Sequence, residues 1–285
     1  MRAALIALAG SLAGLAVLAC GATGGGGPAA AATAARPVTV WAVGDADDDA
    51  DSRRLAALVR RQRPDRFLYL GDVYATGTAA EFRSHYDPLY GPLARRTVPT
   101  PGNHEWPNRD TGYRPYWAAK TGRAVPDWRR VSLGAGWEVL SLNSQAPHGP
   151  GSEQLRWLAT ATRRPGTCRI AIWHRPRFST GWHGDQTDMD PVWAALRGHA
   201  RVVLSGHDHD LQRFVDRDGL RQVVSGAGGR VNIPLPRDSR LRTAYVNRLT
   251  AGGARLRLTR GRATIELVSA SGRVLDRSSV TCRPS

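Results

Sequence analysis

Val38-Thr39-Val40-Trp41-Ala42-Val43-Gly44-Asp45 is an unbroken apolar run closed by a glycine and an aspartate. Six apolar or β-branched residues bounded by glycine read as a buried strand. Four further segments share this design. Phe67-Leu68-Tyr69-Leu70 runs into Gly71-Asp72, and Thr97-Val98-Pro99-Thr100 delivers Gly102-Asn103-His104-Glu105. Cys168 to Trp173 ends at His174, and Val202-Val203-Leu204 leads to Gly206-His207-Asp208-His209. In four of the five a glycine lets the backbone turn sharply, and in all five a carboxylate, amide or imidazole follows.

Between these strands lie helical patterns. Ser52 to Gln62 repeats Leu55, Leu58 and Val59 on one face behind the acidic Asp48, Asp49 and Asp51. Ala79 to His85 reads as a second helix, leading into a segment broken by Pro and Gly from Asp87 to Leu93. A hairpin is expected over Trp128–Leu133 and Trp137–Leu142, and helices over Ser152–Arg163, with Ser152 as cap, and Pro191–Arg197. The last sixty or so residues read as strands: Gln222–Ser225, Arg255–Thr259, Thr264–Ser269 and Val274–Thr281. Alternating strands and helices followed by a strand-only tail argue for an α/β or α+β core of packed sheets with helices outside. Loops at the carboxyl ends of strands are where such sheets place their sites. Gly226-Ala227-Gly228-Gly229 opens no helix and reads as a tight turn beside the site.

Composition bounds the rest. The 285 residues carry a formal charge of +16, and Lys120 is the one lysine, so 39 of the 40 basic residues are arginines. Pairs recur (Arg53-Arg54, Arg95-Arg96, Arg129-Arg130), but no run of five like charges marks a nucleic-acid tail. No specific nucleic-acid binding is expected. Residues 1–35 read as a leader and tether: Arg2, an apolar stretch Ala3–Ala19, then Gly- and Ala-rich sequence. Val17-Leu18-Ala19-Cys20-Gly21 resembles a bacterial lipoprotein site with Cys20 as the lipidated residue; cleavage at a later Ala-x-Ala site or an uncleaved anchor is the alternative. All three carry the body, residues 36–285, out of the cytoplasm. In that oxidising setting Cys168 and Cys282 are expected to pair.

The strand-end side chains, Asp45, Asp72, Asn103, His174, His207 and His209, are donors that suit zinc, iron or manganese. Their order and spacing resemble the calcineurin-like metallophosphoesterases, and within them the purple-acid-phosphatase-like branch, over Val38 to Cys282. The resemblance implies a four-layer αββα sandwich of two mixed sheets and a two-metal phosphoric ester hydrolase. Asp72 would bridge the metals, Asp45 and His209 would complete one, and Asn103, His174 and His207 the other. His104 and His183 would face the phosphate, with Glu105 orienting His104. Many relatives carry Asp-x-His at the first turn, where this chain has Asp45-Ala46-Asp47. Relatives lacking that histidine place a tyrosine three residues after the bridging aspartate; here Tyr74 comes two after Asp72. The first metal is left to Tyr74, Asp47 or a water. A hydroxide between two metals would attack phosphorus in line, with His104 and His183 donating to the developing charge. A small phosphomonoester is the expected substrate, a phosphodiester the alternative, and a metal-stabilised surface protein the non-enzymatic rival.

Overall fold

The computed structural model describes residues 36–230 and 243–282. The leader, its Gly24–Gly27 tether and Cys20 lie outside the described residues. From Arg36 onward the chain forms one compact unit.

Thirteen strands make two sheets. They are β1 (Val38–Val43), β2 (Arg66–Tyr69), β3 (Thr97–Pro99), β4 (Arg129–Gly134), β5 (Trp137–Ser141), β6 (Cys168–Ile172), β7 (Val202–Ser205), β8 (Leu211–Phe214), β9 (Arg221–Ser225), β10 (Thr243–Asn247), β11 (Gly252–Thr259), β12 (Arg262–Ser269) and β13 (Val274–Thr281). The first sheet runs β13-β12-β11-β1-β2-β3 and the second β10-β8-β9-β7-β6-β5-β4. β1, β2 and β3 are mutually parallel, as are β5, β6, β7 and β9. Parallel pairing puts the carboxyl ends of β1, β2 and β3 at one edge of the first sheet, and those of β6 and β7 at one edge of the second. Every strand-end donor singled out above leaves from one of these two edges.

Side-chain alternation builds the layers. Val40, Ala42, Leu68 and Leu70 of the first sheet meet Val139, Ile170, Ile172 and Leu204 of the second in the central core. Their neighbours Trp41, Val43, Phe67 and Tyr69 point outward, against Leu55, Leu58 and Val59 of α1 (Ala50–Arg61) and the aromatics that follow β2. These come from the π turn Phe82–Tyr86 that follows the short α2 (Ala79–Glu81), from α3 (Asp87–Tyr90) and from α4 (Tyr113–Thr121). On the other side Leu140, Ala171 and Val203 pack on α5 (Glu153–Ala161) and α6 (Asp190–Leu196). Helix, sheet, sheet, helix is the four-layer arrangement expected.

Helix α1 starts two residues before the apolar pattern because the Asp49 carboxylate accepts from Ser52 N at 2.6 Å. Ser152 caps α5 as read. The expectation of a broken Asp87–Leu93 is corrected: α3 covers Asp87–Tyr90, and a 3-10 turn continues to Arg96. Pro88 lies directly after the π turn, whose closing bond is Asp87 N to Phe82 O, and itself contributes no N–H to the run. Three elements left no readable pattern: β8, β10 and α4. The β8 segment hides because it buries a polar residue, Gln212, for hydrogen bonding.

Candidate metal centre

The turns after the parallel strands interlock across the two sheets. Asp45 N donates to Gly71 O at 2.9 Å, Gly44 N to Ser225 O at 2.9 Å, and Gly206 N to His174 O at 3.0 Å. Asp45, Asp72 and His207 all adopt left-handed backbone angles (φ 60°, 65° and 72°). Non-glycine residues rarely hold that conformation, and it costs on the order of 1–3 kcal/mol each. The surrounding bonds hold these residues there: His207 N donates to Asp45 Oδ2 at 2.8 Å, and His104 N donates to Asp72 Oδ1 at 3.1 Å. Room is kept by glycine. A Cβ at Gly102 would stand 1.9 Å from Asp72 Oδ1, and one at Gly206 2.4 Å from Asp45 Oδ2. The Gly226–Gly229 turn packs as read: Gly228 N donates to Gly44 O at 3.0 Å, with no space for a side chain.

The predicted donors converge. His174 Nε2 lies 3.2 Å from Asp72 Oδ2, 3.0 Å from Asn103 Oδ1 and 3.2 Å from His207 Nδ1. On the other flank the Tyr74 hydroxyl lies 3.2 Å from Asp45 Oδ1, 3.4 Å from Asp72 Oδ2 and 2.7 Å from His209 Nε2. Asp72 belongs to both groups. Ligand atoms of Asp72, His174 and His207 fall within 4.8 Å of one another, and all three residues are buried. His174 Nδ1 sits 2.8 Å from Leu70 O and is its donor, so Nε2 is left as a lone pair facing two oxygens. Acceptors aimed at acceptors in a buried site suit a cation, and the oxygen and imidazole set fits zinc, iron or manganese.

The electrostatics agree. Burial pushes Asp45 well above the usual carboxylate range, with Asp72 adding to the rise. Asp72 is held below that range, because His174 and the His104 contacts outweigh its burial. Burial lowers His174, but Asp72 and Asp45 outweigh it and lift the imidazole to about 9, so the position favours positive charge. Burial brings His209 down to about 4, and burial with the neighbouring His174 lowers His207 as well, which keeps both neutral and ready to ligate.

Two sequence expectations change. Glu105 does not touch His104. Its Oε2 accepts from Asp72 N and Gly102 N, each at 3.0 Å, so it clamps the two turns from below. Burial and the Asp72 charge push it up to about 8. His104 is instead oriented through Nδ1 by the Ala75 carbonyl, leaving Nε2 3.7 Å from Asp72 Oδ2. Of the candidates for the first metal, Asp47 is engaged elsewhere: Arg230 Nε binds it at 2.8 Å, while the Arg230 guanidinium lies 4.3 Å over the Tyr74 ring. Tyr74 reaches the site despite its two-residue spacing.

His183 stacks on His207 with ring centroids 4.0 Å apart and stands on the open side. Asp208 points away from the donors and holds the loop carrying His183, accepting from His183 N at 2.8 Å. Arg175 and Arg177 are tied back to Asp188 and Asp190, which leaves neither facing the donors. Sequence reading missed Gln212 and Gln222, whose buried side chains hold Thr180 N at 2.9 Å and Phe178 N at 3.1 Å. They fix the root of the same loop, and no motif marks them.

Comparison with known proteins follows this geometry. The family model for calcineurin-like phosphoesterase matches residues 38–211. Mouse tartrate-resistant acid phosphatase type 5 is 26% identical over 282 residues, covering 84% of this chain and 85% of its own. Among solved structures, purple acid phosphatase PPD1 from yellow lupin seeds superimposes with TM-score 0.72 at 16% identity, over 86% of this chain and 54% of that one. GAP50, described as the anchor in the inner membrane complex of Plasmodium, gives TM-score 0.72 at 13% identity, over 88% and 90%. The chain is therefore a metal-dependent phosphoric ester hydrolase that belongs to the calcineurin-like phosphoesterase family, beside its purple-acid-phosphatase-like branch.

Proposed function

We propose that this protein is a phosphomonoesterase of acid-phosphatase type, acting on small phosphate esters outside the cytoplasm. The observation that carries the reading is the pair of imidazoles, His104 and His183, beside the donor cluster but outside it. Asp45, Tyr74 and His209 would hold one metal and Asn103, His174 and His207 the other, with Asp72 between them. Bound there, two ions of the iron, zinc or manganese kind supply Lewis acidity to phosphoryl oxygens and acidify an attacking water.

The chain's own groups do the rest. His104 Nδ1 is engaged by the Ala75 carbonyl, so Nε2 is the ring nitrogen left on the side of Asp72, placed to donate to the leaving oxygen of a bound ester. His183 offers a donor to a terminal phosphoryl oxygen from the side of His207. A monoester dianion has three terminal oxygens for two metals and two imidazoles. A diester has only two and needs room for a second ester group. The acid phosphatase character of the mouse relative supports the same choice.

Residues 1–35 are proposed as an export leader, with Cys20 as the site of a lipid anchor, and 36–285 as the metallophosphoesterase domain. The Cys168–Cys282 disulfide supports an oxidising destination. The test is hydrolysis of p-nitrophenyl phosphate against bis-p-nitrophenyl phosphate across pH, with elemental analysis on the same sample. Two metals per chain and faster monoester turnover are expected. Faster diester turnover would reverse the substrate assignment, and protein that binds no metal and stays inactive with added Zn, Mn or Fe would end it.

A further inference from the structure

Two of the arginine pairs met in the sequence, Arg95-Arg96 and Arg129-Arg130, come together in space. Strand β3 ends the first sheet and β4 ends the second. Beside them opens a cavity of about 620 Å³, lined by Arg66, Arg95, Arg96, Arg123, Arg129 and Arg130 and by no Asp or Glu. It shares no lining residue with the metal centre.

Elsewhere in the molecule several arginines are neutralised by a carboxylate. Arg169 binds Glu138 at 2.7 Å, Arg213 binds Asp276 at 2.6 Å, and Arg255 and Arg277 share Glu266 at 2.8 and 2.6 Å. The cavity gathers arginines that mostly lack such a partner into one concavity. Arg95, Arg123 and Arg129 have no carboxylate within 4.0 Å among the described residues. Arg66 and Arg96 reach only the carbonyls of Asp65, at 2.9 Å, and Pro64, at 3.1 Å. Arg130 lies 3.6 Å from Glu138, which Arg169 already holds. Burial and the facing Arg123 push the Arg129 guanidinium below its ordinary value. Like charges crowded into a concavity repel one another unless an anion joins them.

We propose that this cavity is a second, noncatalytic binding site for a compact oligophosphate anion with two or more linked phosphates. Guanidinium forks pair with two oxygens of a tetrahedral anion at once. Six forks offer more donors than one phosphate can accept. They surround a single hollow, which suits a compact ligand better than a nucleic-acid strand needing an extended track of charge. The inference stands apart from the catalytic reading, since it requires neither metal nor turnover.

The experiment is calorimetric titration of the full-chain holoenzyme with imidodiphosphate, whose P–N–P bridge resists hydrolysis, at low and moderate salt. Arg95→Ala/Arg123→Ala removes two exposed, unpaired guanidiniums without touching the core. Arg129→Ala tests the half-buried wall, and Arg53→Ala/Arg54→Ala on α1 removes charge elsewhere. Expected is a salt-sensitive binding event, weakened at least about tenfold by either cavity variant and less than about twofold by the α1 pair. Turnover of p-nitrophenyl phosphate should stay at the wild-type rate in all three. Equal weakening by the α1 pair would reduce the effect to net charge and overturn the proposal. So would binding indifferent to the cavity variants. Vesicles of phosphatidylglycerol and phosphatidylcholine form the last arm: cavity-dependent vesicle binding without imidodiphosphate binding would give the groove to a membrane surface instead.

Discussion

His104 separates the work of binding metal from the work of moving a proton. Its backbone N–H holds Asp72, and its ring is aimed by the Ala75 carbonyl. His104→Ala keeps the backbone bond and removes only the ring. Turnover is expected to fall by about 10²–10⁴ while metal content stays at two per chain. Metal loss alongside activity would instead make the ring a ligand. Gly181 makes the matching case for His183. A Cβ there would stand 2.3 Å from Asp208 Cγ, the residue that anchors the His183 backbone. Gly181→Ala should therefore lower kcat at least about tenfold without changing metal content or KM much, because the loop shifts and the donors do not. Unchanged kcat would mean that His183 takes no part.

Among the elements, the α2 start carries a pH-sensitive cap. Thr78 and Glu81 form a capping box, and the Glu81 carboxylate also accepts from Ala75 N at 2.9 Å and Thr76 N at 3.1 Å. Burial raises this carboxyl, but the N–H groups of Thr78, Ala75 and Thr76 outweigh it and hold it to about 2, against an ordinary 4.5. A depressed carboxyl stabilises the fold above its unfolded value and loses that contribution as pH falls from about 4.5 toward 2. Partial exposure limits the amount to roughly 1 kcal/mol. Glu81→Gln should lower the urea midpoint at pH 7 and leave it nearly unchanged at pH 2. A deficit of the same size at both pH values would rule out the carboxylate as its source. The turn that Glu81 gathers contains Ala75, which aims His104, so the cap also bears on the site.

At the scale of the molecule, the disulfide between Cys168 and Cys282 closes 114 residues and pins the start of β6 in the second sheet beside the end of β13 in the first. Restricting the unfolded chain in this way contributes on the order of 4–5 kcal/mol by loop entropy. Cys168→Ser/Cys282→Ser should unfold at markedly lower urea and lose the difference between oxidising and reducing buffer. Coincident midpoints for the variant and the oxidised wild type would show that the sheets hold each other without it.

The fold and the donors were legible in the sequence for one reason. Buried parallel strands must be apolar runs, and their polar ends stand out against them, so Asp45, Asp72, Asn103, His174, His207 and His209 were readable before any coordinates. Polar residues that serve a loop leave no such contrast. Gln212 and Gln222 sit inside strands, and Glu105 follows a conspicuous histidine yet serves the backbone N–H of Gly102 on its own turn and of Asp72 on another. Tyr74 was open in the sequence because spacing along a turn does not fix where its ring ends. Only the packed turns decide that its hydroxyl meets Asp45, Asp72 and His209 while Asp47 goes to Arg230. The arginine cavity belongs wholly to the tertiary level. Six cations scattered between positions 66 and 130 mean nothing one by one. They make a candidate site because the edge strands β3 and β4 bring them to one cavity whose lining holds no Asp or Glu. Local sequence determines which residues are buried and where strands stop; which side chains then face one another depends on long-range packing, which no short stretch encodes.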